Sequence, residues 1–344
     1  MNVLLLQLKR IGDLILTTPA IRGLREAYPA ARLALVADSS CSGLLDSLAV
    51  DECWSYHKGS GLRGLAGWGP NAWLKNELLA FRPDWTLDFT GTDRSAFLCA
   101  LSRSNRRVTF LRFRKKRLRK FLYTDFVKSS VSERHTADHY TDLLAPLGIE
   151  LENVPLDLRL SEEAFATARA LLANAGVTGP YAVVHAGTAR AEKYWTAEGW
   201  AEVISVLRAE YGFATVLTGS QDPHERDHLS EIKSHLRHDC LDLSGKTNLA
   251  CLAAVIKGAR LFCGVDTAAM HLADAMRTPC VALFGPTNPY HWRPRHTKSV
   301  VLRSCTATPF SSRQHGGPMR ELTVASTIDG VREVLSEGDT TGGA

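Results

Sequence analysis

Leu261-Phe262-Cys263-Gly264-Val265-Asp266-Thr267-Ala268-Ala269-Met270-His271 is a short apolar run that passes through small and polar residues straight into a helical pattern. The run predicts a buried strand over 261–265, and the pattern after it predicts a helix over 268–276. A strand that feeds a helix in this way is the repeating unit of a parallel sheet covered by helices. Small residues at 267–269 let a ligand approach the main chain, where first-turn N–H groups lack intrahelical partners. An anion such as a diphosphate gains there from the free donors and from the helix dipole, ~0.3–2 kcal/mol from the dipole. The plainer reading has Asp266 and Thr267 as helix caps, with His271 satisfied in the core.

The same alternation runs outward in both directions. Residues 280–284 form a further strand candidate that ends in the tight turn Phe284-Gly285-Pro286-Thr287-Asn288 on the same edge. Strands at 182–185 and 215–217 precede it, with helices over 164–175, 197–211, 223–236 and 249–259. Ser161-Glu162-Glu163 reads as an N-cap with acids in the first turn, 324–335 as a last helix, and 338–344 as a frayed tail. The strand at 182–185 ends His185-Ala186-Gly187-Thr188-Ala189-Arg190, with Lys193-Tyr194-Trp195 close behind. A Gly-Thr turn suits phosphate oxygens, Thr188 through its hydroxyl and backbone and Lys193 as a point charge. A solvated loop lysine is the plainer alternative. Neither G-x-G-x-x-G nor a Walker A pattern occurs, which argues against dinucleotide dehydrogenases and P-loop enzymes.

The first part of the chain repeats the theme, with strands expected at 3–8, 33–37, 85–89 and 107–111 and helices at 21–28, 71–81 and 94–102. Pro19 predicts a kink or a restarted turn. After the first strand, Leu8-Lys9-Arg10-Ile11-Gly12-Asp13 opens a helix. Gly12 lets the chain turn closely and sets Asp13 at the carboxyl edge of the sheet. A carboxylate there can remove a proton from a hydroxyl that attacks an anomeric carbon; an N-cap aspartate is the alternative. The fold class is α/β, with two doubly wound lobes, 1–155 and 156–344, joined near 150–160. Ligands are expected beyond the carboxyl ends of the strands, in a cleft between the lobes.

Composition sets the bounds. The chain has 344 residues, 45% hydrophobic and 22% charged, enough apolar material for two cores. Its net charge of +5 names no partner by itself, but the ten Lys and Arg residues between Arg103 and Lys120, with no acid among them, more than account for it. Eight cysteines occur without a C-x-x-C pair or metal-ligand spacing to His271 or His291, which reads as reduced, buried thiols in a cytoplasmic protein. The start Met1-Asn2-Val3-Leu4-Leu5-Leu6 is broken by Lys9, Arg10 and Asp13, unlike a signal peptide, and no apolar run suggests a membrane span.

Taken as one ordered series, these motifs resemble the glycosyltransferase family 9 heptosyltransferases over nearly the whole chain. The carrying residues are Arg10-Ile11-Gly12-Asp13-Leu14 with Thr17-Thr18-Pro19-Ala20, Gly187-Thr188-Ala189-Arg190 with Lys193 and Trp195, and Leu217-Thr218-Gly219. Gly264-Val265-Asp266-Thr267-Ala268-Ala269 with His271-Leu272-Ala273, and Phe284-Gly285-Pro286-Thr287, complete them. Thr188-Ala189-Arg190 and Trp292-Arg293-Pro294 look most like the heptosyltransferase III branch. The resemblance implies the GT-B fold of two Rossmann-like lobes and metal-independent, inverting transfer from ADP-L-glycero-D-manno-heptose. The acceptor it implies is a heptose or Kdo of the lipopolysaccharide inner core, at the inner face of the cytoplasmic membrane.

Carried over position by position, Asp13 matches the family's general base and Lys193 its donor-phosphate lysine. Thr188 matches a donor-loop hydroxyl, and Asp266, Thr267, Ala268, Ala269 and His271 match the donor segment. The acid that meets the adenosine ribose is either Asp222 or Glu225. Lys9, Arg10 and Gly12 fall where the acceptor is held, although some members carry serines in place of Lys9 and Arg10. The basic stretch over 103–120, interleaved with Phe113, Leu118, Phe121 and Tyr123, suits anionic lipid headgroups or a phosphorylated acceptor rather than nucleic acid. Two rival readings remain at this point: a GT-B-like sugar-nucleotide epimerase or hydrolase, and a non-catalytic protein that holds nucleotide sugar or lipid.

Overall fold

The computed structural model describes residues 1–58, 70–115, 119–304, 311–314 and 316–336. The chain divides into two compact units, Met1–Arg159 and Leu160–Ala344. In the first, six parallel strands form one sheet: β1 (Asn2–Gln7), β2 (Arg32–Asp38), β3 (Glu52–Tyr56), β4 (Trp85–Asp88), β5 (Arg106–Phe110) and β6 (Asp125–Val127). Their order is β3-β2-β1-β4-β5-β6, so the sheet reverses its direction of growth between β1 and β4. The register places Leu6 between Val36 of β2 and Asp88 of β4. The helices of this unit are α1 (Ile11–Ile15), α2 (Thr18–Ala27), α3 (Leu74–Phe81), α4 (Asp93–Leu101) and α5 (Thr136–Thr141). Pro19 occupies the first turn of α2, so the helical path stops after α1 and restarts, as a proline without an N–H permits.

The second unit repeats the plan. Its strands are β7 (Tyr181–His185), β8 (Ala214–Leu217), β9 (Leu241–Asp242), β10 (Leu261–Val265), β11 (Cys280–Phe284) and β12 (Ser299–Arg303), all parallel in the order β12-β11-β10-β7-β8-β9. Counted from β7, this is the order of the first sheet, with its reversal between β7 and β10. The helices are α6 (Glu162–Asn174), α7 (Ala197–Tyr211), α8 (Pro223–His235), α9 (Leu249–Gly258), α10 (Ala268–Met276), α11 (Pro289–Trp292) and α12 (Val324–Ser336). Both units are thus doubly wound Rossmann-like sheets, and a crevice for ligand opens in such folds at the carboxyl ends of the strands flanking the reversal.

Central strands are buried along their whole length, as in Leu4, Leu5 and Leu6 of β1 and Leu261, Phe262 and Cys263 of β10. Each such aliphatic or aromatic side chain contributes about 1.5–3 kcal/mol when removed from water. The unanticipated strands β3, β6, β9 and β12 are the four sheet edges. Their mixed burial leaves no continuous apolar run for a sequence reading to detect. Among the described residues no helix is long and apolar enough to cross a membrane, and seven cysteines there are free thiols. The tail over 338–344 lies outside the described residues.

Candidate functional site

In the second unit the loop after β7 and the start of α10 meet across the reversal. Lys193 Nζ donates to Asp266 Oδ2 at 2.6 Å and to the Asp266 carbonyl at 3.0 Å, and both residues are under a tenth exposed. The lysine is held there by the anchored tryptophan two positions further on. Trp195 is buried edge-on against Trp200, with ring centroids 5.1 Å apart, and its indole N–H donates to the Leu322 carbonyl at 2.9 Å. Thr188 is buried in the same loop, and its hydroxyl accepts from the Arg190 N–H at 3.3 Å.

Thr267 stands at the N-cap of α10 but makes no side-chain capping bond. Its hydroxyl is buried without a partner, as is that of Thr287 in the turn after β11. The capping role expected of Thr267 is therefore not exercised, and the first-turn amides of Ala268 and Ala269 receive no side-chain acceptor from it. His271 is buried one turn on, its ring centroid 6.4 Å from that of Trp292. A helix start with uncapped amides, two unsatisfied hydroxyls and a lysine alongside is equipped for a polyanion.

The two acids left open by sequence differ in surroundings. Asp222 is exposed and caps α8, its Oδ1 accepting from the His224 N–H at 2.9 Å. Glu225 is buried, and its Oε2 accepts from the Ser220 N–H at 2.7 Å. Gly187 lies so close that a Cβ there would sit 2.5 Å from Glu225 Oε2. His185 shares a hydrogen bond with the Thr218 hydroxyl at 2.9 Å, and burial drives its pKa down to about 4 against the pull of Glu225.

In the first unit Asp13 occupies the third position of α1. Arg10, not Asp13, is the N-cap, and Arg10 is exposed. Gly12 is helical rather than left-handed, so the close turn expected of it is not what places Asp13. The chain is fixed by ties on either side: the Leu8 N–H donates to the Thr90 hydroxyl at 2.7 Å, joining the ends of β1 and β4, and the Thr17 hydroxyl donates to the Asp13 carbonyl at 2.8 Å. The buried Asp88 carboxylate organises the β4 end, accepting from the Thr90 and Gly91 amides at 2.8 and 3.0 Å and from the Tyr123 hydroxyl at 2.5 Å. Gly91 has φ +65° and lies under the Phe113 ring, which fills the place a Cβ would take, so no other residue fits.

Two residues at this edge escaped the sequence reading. Tyr140 of α5 donates its hydroxyl proton to Asp13 Oδ1, and Lys9 Nζ donates to the Tyr140 oxygen at 3.0 Å. Arg112, counted only as part of the basic stretch, stacks on Phe113 with 4.6 Å between guanidinium and ring centre, and burial lowers its pKa while Tyr140 and Asp13 raise it. Every residue of α5 is buried, the polar Thr136, Asp138, His139 and Thr141 included, so no apolar face marks Tyr140 in the sequence. Other members of the stretch are engaged locally. Arg106 forks onto Asp125 at 2.8 and 2.6 Å, Arg107 donates to the carbonyls of Leu122 and Ser104 at 2.8 and 2.7 Å, and Arg119 pairs with Asp93 at 2.6 Å. Lys116, Arg117 and Leu118 lie outside the described residues.

Comparison with known proteins adds a family to this geometry. The family model for glycosyltransferase family 9 (heptosyltransferase) matches residues 72–320. Lipopolysaccharide heptosyltransferase 3 of Escherichia coli (strain K12) is 26% identical over 298 residues, which cover 84% of this chain and 84% of that protein. Among solved structures, the glycosyl transferase family 9 protein from Veillonella parvula DSM 2008 superposes with a TM-score of 0.84 at 23% identity, covering 98% of this chain and 97% of that one. The E. coli ADP-heptose lipopolysaccharide heptosyltransferase II superposes with a TM-score of 0.80 at 21% identity, covering 99% and 100%.

Proposed function

The chain belongs to glycosyltransferase family 9 (heptosyltransferase), and from that membership we propose that it transfers a heptosyl group from ADP-L-glycero-D-manno-heptose to a heptose or Kdo of the lipopolysaccharide inner core. The observation that carries the reading is the Lys193–Asp266 pair beside the uncapped start of α10. In this reading the diphosphate lies on the amides of Thr267, Ala268 and Ala269, with Lys193 and the hydroxyls of Thr188 and Thr267 on its oxygens. His271 packs behind that helix start. Glu225 is better placed than Asp222 for the ribose, because its carboxylate lies against the Gly187 turn while Asp222 is occupied in capping α8.

The first unit then holds the acceptor, near Lys9, Arg10 and Gly12, with Asp13 as base. An acceptor hydroxyl oxygen forms a bond to the anomeric carbon as the bond from that carbon to the donor phosphate oxygen breaks. The acceptor proton passes to Asp13, and ADP departs with the bonding electron pair toward Lys193. A single displacement of this kind inverts the anomeric centre. Developing charge on the leaving group is met by fixed donors and an ammonium, so the chemistry needs no metal. The chain acts in the cytoplasm at the inner membrane face, with Arg114, Lys115, Lys120 and the largely exposed Phe121 directed to anionic headgroups.

The test is product analysis with ADP-heptose, with and without an inner-core acceptor and with a chelator. ADP and an inverted glycoside that form only when acceptor is present, unaffected by chelation, support the proposal. Turnover of the donor without acceptor would identify an epimerase or hydrolase instead. Asp13→Ala should lower kcat by ~10²–10⁴-fold; a loss smaller than about tenfold removes Asp13 as base.

A further inference from the structure

α5 brings a phenol to the proposed base. Tyr140 is fully buried, edge-on to Phe89 with ring centroids 5.9 Å apart, and the preceding residue, His139, stacks on Phe110 at 3.9 Å. These aromatic contacts fix α5 over the carboxyl ends of β4 and β5. There the Tyr140 hydroxyl touches two charged groups, the Lys9 ammonium of the β1–α1 connection at 3.0 Å and the Asp13 carboxylate of α1.

The direction of these bonds follows from chemistry. An ammonium has donors only, so the Tyr140 oxygen accepts from Lys9; the Gln7 side chain also hydrogen-bonds the phenol, whose single proton points to the Asp13 carboxylate at Oδ1. Lys9 Nζ also stands 3.7 Å from that same oxygen. Both contacts fall on Oδ1, and neither engages Oδ2. We propose that Tyr140 is a positioning residue, aimed by Lys9, that pins Oδ1 of Asp13 so that Oδ2 receives the acceptor proton.

The surroundings fit this assignment. Burial, with Asp13 adding to it, pushes the Tyr140 phenol well above its ordinary range, so it remains a donor at every working pH. Burial lowers the Lys9 ammonium, and Asp13 pulls it back up. Arg112 faces Asp13 and Tyr140 from beyond β5, the Cys41 thiol faces Asp13 from beyond β2, and Asp88 of β4 faces Lys9. Lys9, expected from sequence to touch the acceptor, is on this view committed to the base.

The inference rests on Asp13 being the base, and the experiment separates the two. Tyr140→Phe keeps the ring packing and deletes only the hydroxyl. It should lower kcat by ~10–100-fold, the range for a reacting group displaced by about an ångström, with both substrate KM values within about twofold of wild type. In an Asp13→Asn background the same change should add less than about twofold, because residues acting as one unit are not additive. A purely structural tyrosine would instead cost the same factor in both backgrounds, and that result overturns the inference, as does a wild-type kcat in Tyr140→Phe. If Asp13→Asn alone keeps activity within about tenfold, the base reading falls first and the inference with it. Lys9→Met provides a second route should Tyr140→Phe not fold. It should reproduce the kcat loss in the wild-type background and not in Asp13→Asn, and an equal loss in both overturns the inference.

Discussion

Gly187 is glycine for want of space. The Glu225 carboxylate occupies the place of its missing side chain, 2.5 Å from where a Cβ would be. Gly187→Ala therefore has to push Glu225 off the Ser220 amide, at about 1–3 kcal/mol for an overpacked site. The expected outcome is a lower Tm together with a raised KM for the ADP-sugar, read by thermal melts and initial rates; a raised KM alone would mean that the loop yields without strain. At this level the sequence singles out Asp13 and Lys193 as candidates because each lies in a loop or first turn after a strand, and their roles stay proposals. The partner of Lys193 is a different matter: Asp266 lies 73 positions away and meets it only because β7 and β10 are neighbours in the sheet.

Helix α10 carries the proposed anion site at its start and is fastened at its end. Asp274 is buried and accepts from the backbone amides of Arg295 and His296 at 3.2 and 2.8 Å. Burial alone pushes its pKa up; hydrogen bonds from His296 and Arg295 outweigh it and hold the carboxyl below its ordinary range. A depressed folded-state pKa means that the contribution is present above the unfolded value of ~3.9 and fades as pH falls below it through the folded value. Asp274→Asn should thus be less stable than wild type at pH 7 by about 1–3 kcal/mol. The difference should shrink as denaturation is repeated at progressively lower pH below ~3.9. A gap that stays constant on acidification would mean that ionisation of Asp274 plays no part. Whole elements were read from sequence where burial is complete, as in β10 and β11. They were missed at β3, β6, β9 and β12, where one edge of the strand has no neighbour among the described residues and apolar residues are interrupted.

The protein as a whole has a net charge of +5 that is concentrated in one region. There Arg106, Arg107 and Arg119 are engaged with their own unit, whereas Arg114, Lys115 and Lys120 are exposed, Arg114 over the Phe126 ring at 5.7 Å and Lys120 over that of Phe121, which is 72% exposed; in the proposed function these meet the membrane. Each cation near an anionic bilayer contributes ~1 kcal/mol, screened within a Debye length of ~8–10 Å at moderate salt. Vesicles rich in phosphatidylglycerol should therefore retain the protein in flotation at low salt and release it at high salt. Charge reversal of Arg114, Lys115 and Lys120 should abolish retention without altering transfer to a soluble acceptor fragment. Retention on neutral vesicles, or indifference to salt, would dismiss the membrane role.

Sequence alone determined the α/β class, the two series of strand and helix, and the loops where chemistry is expected, because hydrophobic periodicity and strand-end composition are local properties. Tertiary structure alone decided which side chains meet. Lys193 reaches Asp266 and Tyr140 reaches Asp13 through strand order and helix placement. Such contacts depend on how distant segments are packed against one another, which no local pattern in the chain encodes.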